Sequence, residues 1–378
     1  MNYPLLPYSQ LVFDMLTADP DVYTYRMTMR INQNDVNRER LESAILATIK
    51  NHPVFLTVVD EQGLQHFDQQ IDPLHGQYHS LKIREDNTFL YIDFVFNRIL
   101  GDAISWHVLV EDFVRAYNGQ SLAEDNYYAY LAQVEANKHT ERYAADKQWL
   151  EQHFSNISCP VHPTTDVPLQ DLDHAVEGVF VTDFTDSREA LNRLANTQLV
   201  SLNALFSLAS ALAIMEYNGT NEAALTWAYD GRETETEKRI YGSLHRDIPF
   251  RISRITNGDS QVSRDELFRV TRKAMREGIM HSNYPFTLTA PHTQIWNYAL
   301  NVLVQPTSEA ISAIWPFPIE VLPADEQPAK AYALLDVEIY DTKPSLTLVF
   351  RYSATHYKEQ SIRRFAELVR KYAEWLIA

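Results

Sequence analysis

The sequence predicts a mixed α/β protein of two lobes, on three observations. Its 378 residues are enough for two domains or one large two-lobed fold. Helical and strand periodicities alternate along the whole chain. A stretch rich in proline and turn formers, SCPVHPTTDVPLQDLDH at 158–174, has no usable period and is the expected boundary. The lobes expected from it are 1–165 and 166–378.

The elements follow in order. In DVNRERLESAILATIKNHP, Leu41, Ala44, Ile45, Thr48 and Ile49 share one face at helical spacing, with Asp35 as the expected cap and Asn51-His52-Pro53 as the stop. FLYIDFVF at 89–96 alternates, placing Leu90, Ile92, Phe94 and Phe96 opposite Asp93, and predicts a strand. The next segment, 103–119, is helical, with Ile104, Val108, Leu109, Phe113 and Tyr117 inward and Gly119 at its C-terminal end. A further helix covers about 139–154. Beyond the break, a strand at 178–184 precedes helices at 187–195 and 201–219, the second apolar and ending at a glycine. Strands at 223–229 and about 244–252 lead to a helix at 264–280. Three more strands, at 298–305, 331–341 and 345–354, precede a closing helix near 358–376. No residue-level internal repeat is evident.

Composition excludes several classes. A formal net charge of −17 with no offsetting basic tract argues against a nucleic-acid partner. The N-terminal MNYPLLPYSQLVFDML lacks the basic-then-apolar pattern of a signal peptide, and no run of about 18 apolar residues suggests a membrane span. The one cysteine, Cys159, can form no internal disulfide, and there is no Cys/His metal framework. A cytoplasmic protein without bound metal or cofactor is the expectation.

Six segments, taken in order, identify a family. YPLLPYSQLVFDML, Asn51-His52-Pro53, FVFNRILGDAISWHVLVEDFVRAYNG, NYYAYLAQ, YGSLHRDIPFR and HSNYPF resemble successive motifs of nonribosomal peptide synthetase condensation domains, which are chloramphenicol-acetyltransferase-like acyltransferases. The third lies over the core motif His-His-x-x-x-Asp-Gly. NYYAYLAQ lacks the Trp of its counterpart motif, and Tyr127 and Tyr130 within it are expected to pack. The resemblance implies two acyltransferase-like lobes forming a V-shaped pseudo-dimer with a central tunnel. It also implies substrates presented on phosphopantetheinyl carrier proteins, and partners among peptidyl or acyl carrier proteins, other synthetase domains or a tailoring enzyme.

Counting back from Asp102 puts Arg98 at the second histidine position and Asn97 at the first, with Ala103 in place of the glycine. Amide formation from a thioester needs a group that orients the amine, accepts its proton or stabilises the tetrahedral intermediate. Histidine can be neutral near pH 7, whereas arginine stays protonated and cannot be a general base. The motif therefore reads as degenerate. Asp102 itself fits an N-cap, since it immediately precedes a helix. The resemblance adds a salt bridge from Asp102 to Arg251. The heterocyclisation branch of the family uses Asp-x-x-x-x-Asp-x-x-Ser, against which Asn97, Asp102 and Ser105 align with one carboxylate missing.

Other residues compete for roles. His245 and His281 are candidates near a tunnel, while His107 is expected to face away inside its helix. Arg269, Arg272, Lys273 and Arg276 recur at i, i+3, i+4, i+7. They form either a solvated helix face or a dock for an acidic carrier protein. Two functions follow: a carrier-dependent acyl or aminoacyl transferase, or a non-catalytic module of the same fold that binds carriers or recruits a partner enzyme. The altered motif favours the module.

Overall fold

A computed structural model describes residues 2–16, 19, 21–169, 175–254, 262–286, 299–305, 315–322, 330–342 and 344–378. The chain divides into two compact units, each drawn from more than one stretch of sequence. The first holds the described residues of Met1–Thr140, Asp230–His245 and Pro306–Glu326; the second holds those of Glu141–Tyr229, Arg246–Gln305 and Gln327–Ala378.

In the first unit, Phe89–Asn97 lies inside a five-stranded sheet, between Thr24–Asn32 and His79–Glu85. Leu90, Ile92 and Phe94 turn to one face and are buried, as their alternation requires. The helix Arg38–Asn51 buries Leu41, Ala44, Ile45, Thr48 and Ile49, which is the expected stripe. Its cap is Asn37 rather than Asp35, because the Asn37 side-chain Oδ1 accepts the Arg40 N–H at 2.9 Å while Asp35 lies in a preceding 3-10 turn. Tyr127 and Tyr130 are buried in this core.

The second unit is built on a six-stranded sheet containing Glu177–Asp183, Glu222–Tyr229, Arg246–Ser253, Asn301–Val304, Leu335–Asp341 and Leu346–Ser353. The helix Leu202–Asn218 is buried on nearly every side, from Asn203 to Met215, which is why its sequence is apolar all round. Ser201 caps its start, and Gly219, at φ 69°, adopts the left-handed conformation that ends it.

The units depart from the single boundary at 158–174 in two ways. The helix Glu141–Phe154 belongs to the second unit, where Leu150 and Phe154 pack with Ile157, Cys159, Val161, Ala224 and Phe286. The start of the supposed linker is thus part of a core, with Ala224 N–H donating to the Pro160 carbonyl at 3.0 Å. Residues 170–174 of that stretch lie outside the described residues. Conversely, the segment 230–245 returns to the first unit and buries Tyr241 and Leu244 there. So does Phe317, packed on Tyr117 at 5.1 Å between ring centroids, and Glu320–Leu322 pairs with Thr28, Met29 and Arg30.

Candidate functional site

The strand Phe89–Asn97 delivers two side chains to its end, and the structure gives them separate tasks. Asn97 is buried and its amide is fully engaged. The Nδ2 group donates to the Val22 carbonyl at 2.6 Å and to Thr24 Oγ1 at 2.9 Å, and Oδ1 accepts the Ile99 N–H at 2.9 Å. Its role is to cap the short turn Arg98–Leu100 and tie the strand end to the segment Val22–Thr24.

Arg98 sits among aromatic rings. Its guanidinium carbon lies 4.9 Å from the Tyr8 ring centroid and 5.5 Å from that of Tyr23, a cation–π arrangement. Tyr23 has φ 50°, unusual for a bulky residue, and its carbonyl accepts the Arg98 N–H at 3.0 Å. His245 also meets the Tyr8 ring, edge to face with centroids 4.3 Å apart. Arg98, Tyr8, Tyr23 and His245 therefore form one half-buried cationic and aromatic cluster.

Asp102 anchors the turn beneath. It caps the helix Ala103–Tyr117 through a reciprocal pair: Ser105 N–H donates to Asp102 Oδ1 at 2.9 Å, and Asp102 N–H donates to Ser105 Oγ at 3.1 Å. The carboxylate then takes a two-pronged ion pair from Arg232, Nη1 to Oδ2 at 3.0 Å and Nη2 to Oδ1 at 3.1 Å. Two more backbone donors, Leu244 N–H at 2.9 Å and His245 N–H at 3.1 Å, reach Oδ2. These bonds also explain why the strand expected from about 244 starts at Arg246: the amides of 244 and 245 are already committed to Asp102. Burial penalises the charged carboxylate, but the facing Arg232 outweighs it, together with His245 and the donors, and the Asp102 carboxyl stays below its ordinary pKa.

Arg232 is the residue that sequence reasoning missed. The expected partner of Asp102, Arg251, instead pairs with Glu222 at 2.8 and 2.9 Å across adjacent strands of the second unit. Arg251 points off the sheet in register with Ala224, where Glu222 is the carboxylate within reach. The signal for Arg232 is its place in Asp230-Gly231-Arg232, just after a buried apolar strand. Gly231 takes φ 76°, a conformation that favours glycine.

Ser105 is closed off as a nucleophile. Its hydroxyl donates within reach of the Gly242 carbonyl at 2.8 Å and Asp102 Oδ1 at 2.9 Å, and accepts from Arg232, Asp102 and Gly242 nitrogens. It is fully buried. Gly101 is required beside it, since a Cβ there would meet Tyr241 Cε1 at 2.8 Å and Ser105 Oγ at 2.9 Å. The Asn97, Asp102 and Ser105 alignment with the heterocyclisation pattern thus corresponds to caps and ties.

The remaining candidates separate. His245 joins the cluster just described, with Nδ1 3.9 Å from Asp102 Oδ2. His281 lies in the second unit, its Nδ1 2.8 Å from buried Asp146 Oδ1 and its ring stacked on Trp149 at 4.3 Å. His107 is partly buried on its helix, and burial lowers its pKa. On the helix Arg264–Met280, Arg269 is held by Glu266 at 2.6 and 2.5 Å and Arg272 donates to the Gln198 carbonyl at 2.6 Å. Lys273 stands 3.7 Å from Glu277, and Arg276 is exposed. Among the described residues no single helix is long and apolar enough to cross a membrane.

Similarities to other proteins agree with this architecture. The chain is 24% identical over 196 residues to FR901469 synthetase of Dothideomycetidae sp. (strain 11243), a match covering 51% of this chain and 1% of that protein. Malformin synthetase of Aspergillus niger is 22% identical over 270 residues, 64% of this chain and 6% of that protein. The chain thus spans a small fraction of either relative. Among solved structures, the condensation domain of monacolin K polyketide synthase MokA superposes with a TM-score of 0.78 at 12% identity, covering 100% of this chain and 97% of that one. The X-domain from teicoplanin biosynthesis superposes at 0.76 with 14% identity, covering 99% and 94%, and it is also seen in a complex with OxyB. The family profile for the condensation domain matches residues 64–378, most of the length described above. On that match, the chain belongs to the condensation-domain family.

Proposed function

We propose that this chain is a condensation-domain member of nonribosomal peptide biosynthesis that holds carrier-borne substrates or recruits a partner enzyme without forming the amide bond itself. The observation that carries the reading is the chemistry at 97 and 98. The Asn97 amide is saturated by Val22, Thr24 and Ile99, and Arg98 is a permanent cation over Tyr8 and Tyr23, so neither accepts a proton from an amine. Asp102 is spent on Arg232 and three backbone N–H groups. A cation in this position also repels a protonated amine while favouring a carbonyl oxygen or other anionic group.

The carrier in this reading is an acidic peptidyl or acyl carrier protein bearing its substrate on a phosphopantetheinyl arm. Arg269, Arg272, Lys273 and Arg276 offer a basic face on an otherwise acidic chain, which suits such a partner. Recruitment of a tailoring enzyme is the related role, supported by the likeness to the X-domain that is seen with OxyB. Calorimetry with loaded and unloaded carrier proteins tests the reading. Loaded carrier should bind wild type, and Arg98→Ala should bind it with a several-fold change at most. Absence of binding by every carrier and tailoring enzyme from the same biosynthetic system would refute it.

A second reading, an active acyl transferase, is favoured by one observation: His245 shares the Tyr8 ring with Arg98. An imidazole there could accept a proton while Arg98 stabilises an oxyanion. In that case His245→Ala would abolish product formation while leaving carrier binding intact.

A further inference from the structure

The second unit carries a cleft of about 790 Å³, a volume typical of small-molecule sites. Its apolar walls come from Leu199, Val200, Ala204, Trp227, Met275 and Ile279. Three cations of the helix Arg264–Met280, Arg272, Lys273 and Arg276, line the same cleft, against one carboxylate, Glu277.

Two features point to an occupant. Leu199 is 81% exposed and held at φ 52°, so a large apolar side chain is presented to solvent from a backbone conformation that such residues avoid. Trp227 forms part of the apolar wall and is itself buried. Of the three cations, Arg272 is committed to the Gln198 carbonyl and Lys273 is 3.7 Å from Glu277, while Arg276 is exposed and makes no hydrogen bond or ion pair among the described residues. Cationic surface beside apolar wall selects a molecule that is charged at one end only. Two methionines in the lining, Met275 and Met280, add walls that adapt to chain shape.

We infer that this cleft binds an aliphatic chain ending in an anion, a carboxylate or a phosphate monoester. The anionic head lies against Arg276 and Lys273, and the chain runs along Leu199, Val200 and Trp227. This site is distinct from the Arg98 cluster, and the inference does not rest on carrier binding, since a free ligand tests it without any carrier.

The experiment titrates the intact chain with decanoate and decyl phosphate below their micelle concentrations and with decanol below its solubility limit, by calorimetry and by the indole N–H resonance of Trp227, assigned with Trp227→Phe. Saturable binding near one to one is expected for at least one of the two anions, at least tenfold tighter than for decanol, with the Trp227 resonance shifting. The anion bound more tightly identifies the head group. Arg276→Glu, at an exposed position, should weaken anion binding tenfold or more and leave decanol unchanged. Leu199→Asn should weaken all three, and asparagine tolerates the left-handed backbone, so the fold survives. Equal affinity for decanol and both anions, wild-type affinity in both variants, or no saturable binding would overturn the inference.

Discussion

Asp102 shows what a single carboxylate contributes when it is buried against an arginine. Removing it leaves the Arg232 guanidinium, whose side chain is fully buried, with only the partly exposed Asp230 carboxylate, 2.7 Å away, as a counter-charge among the described residues. Stranding one member of a buried pair typically costs about 3–5 kcal/mol; Asp230 lessens that cost here, while the N–H groups of Ser105, Leu244 and His245 lose their acceptor as well. Losing the hydrogen bonds of Asn97 costs about 1–3 kcal/mol. Asp102→Ala should therefore lower the melting temperature more than Asn97→Ala, and equal shifts by calorimetry would contradict the assignment. The pair also sets a pH dependence. The folded carboxyl lies below its ordinary value of 3.8, so its stabilising contribution is present above that value and is lost as pH falls through the folded value. Acid unfolding of wild type should steepen below pH 3.8, and Asp102→Asn should remove that part of the dependence while lowering stability at pH 7. The N-cap role of Asp102 was legible from one residue preceding a helix. Its arginine was not, because Asp102 and Arg232 are distant in sequence and only the return of 230–245 brings them together.

At the scale of elements, the turn between the strand Phe89–Asn97 and the helix Ala103–Tyr117 is held from below by two close approaches. Gly101→Ala would drive a methyl against Tyr241 and Ser105, and overpacking of this kind typically costs about 1–3 kcal/mol. A melting temperature unchanged in Gly101→Ala would show that the turn yields instead. The end of the helix Arg38–Asn51 provides a contrasting case. His52 Nδ1 meets Asp125 Oδ2 at 2.7 Å, and its Nε2 lies 3.4 Å from Asp112 Oδ2, all three side chains being buried. Burial raises the Asp112 carboxyl above its ordinary value despite His52 and nearby arginines. Its contribution to stability is thus present below 3.8 and lost as pH rises through the folded value. Asp112→Asn should raise the melting temperature at pH 7, with the gain vanishing below pH 3.8; a loss at pH 7 would contradict this. The longer helices were legible, and Arg264–Met280 and Leu202–Asn218 fall where they were expected, whereas Pro7–Leu16 and Tyr127–Asn137 were not read as helices. The strand Thr24–Asn32 was not read, although Tyr25, Met27, Met29 and Ile31 alternate there with Arg26, Thr28 and Arg30. Glu320–Leu322 carries none, being three residues long with two exposed.

At the scale of the molecule, the family and its mixed α/β architecture were legible from the order of motifs, whereas the division into units was not. A proline-rich stretch reads as a linker by local rules, yet Ile157, Cys159 and Val161 in and beside it are buried. Burial decides membership in a unit, and it depends on partners far away in sequence, such as Phe286 for Phe154. The same distance effect governs the site: Arg98 was visible at a motif position, but the Tyr8, Tyr23 and His245 rings around it come from separate segments. What that cluster does is decided most directly by turnover. Donor and acceptor carrier proteins, loaded with their substrates, are incubated with wild type and with Arg98→Ala, and condensed product is followed by mass spectrometry. No product from wild type, under conditions where loaded carrier binds, is the predicted result. Product from wild type that disappears in Arg98→Ala would contradict it and make the arginine a working electrostatic catalyst.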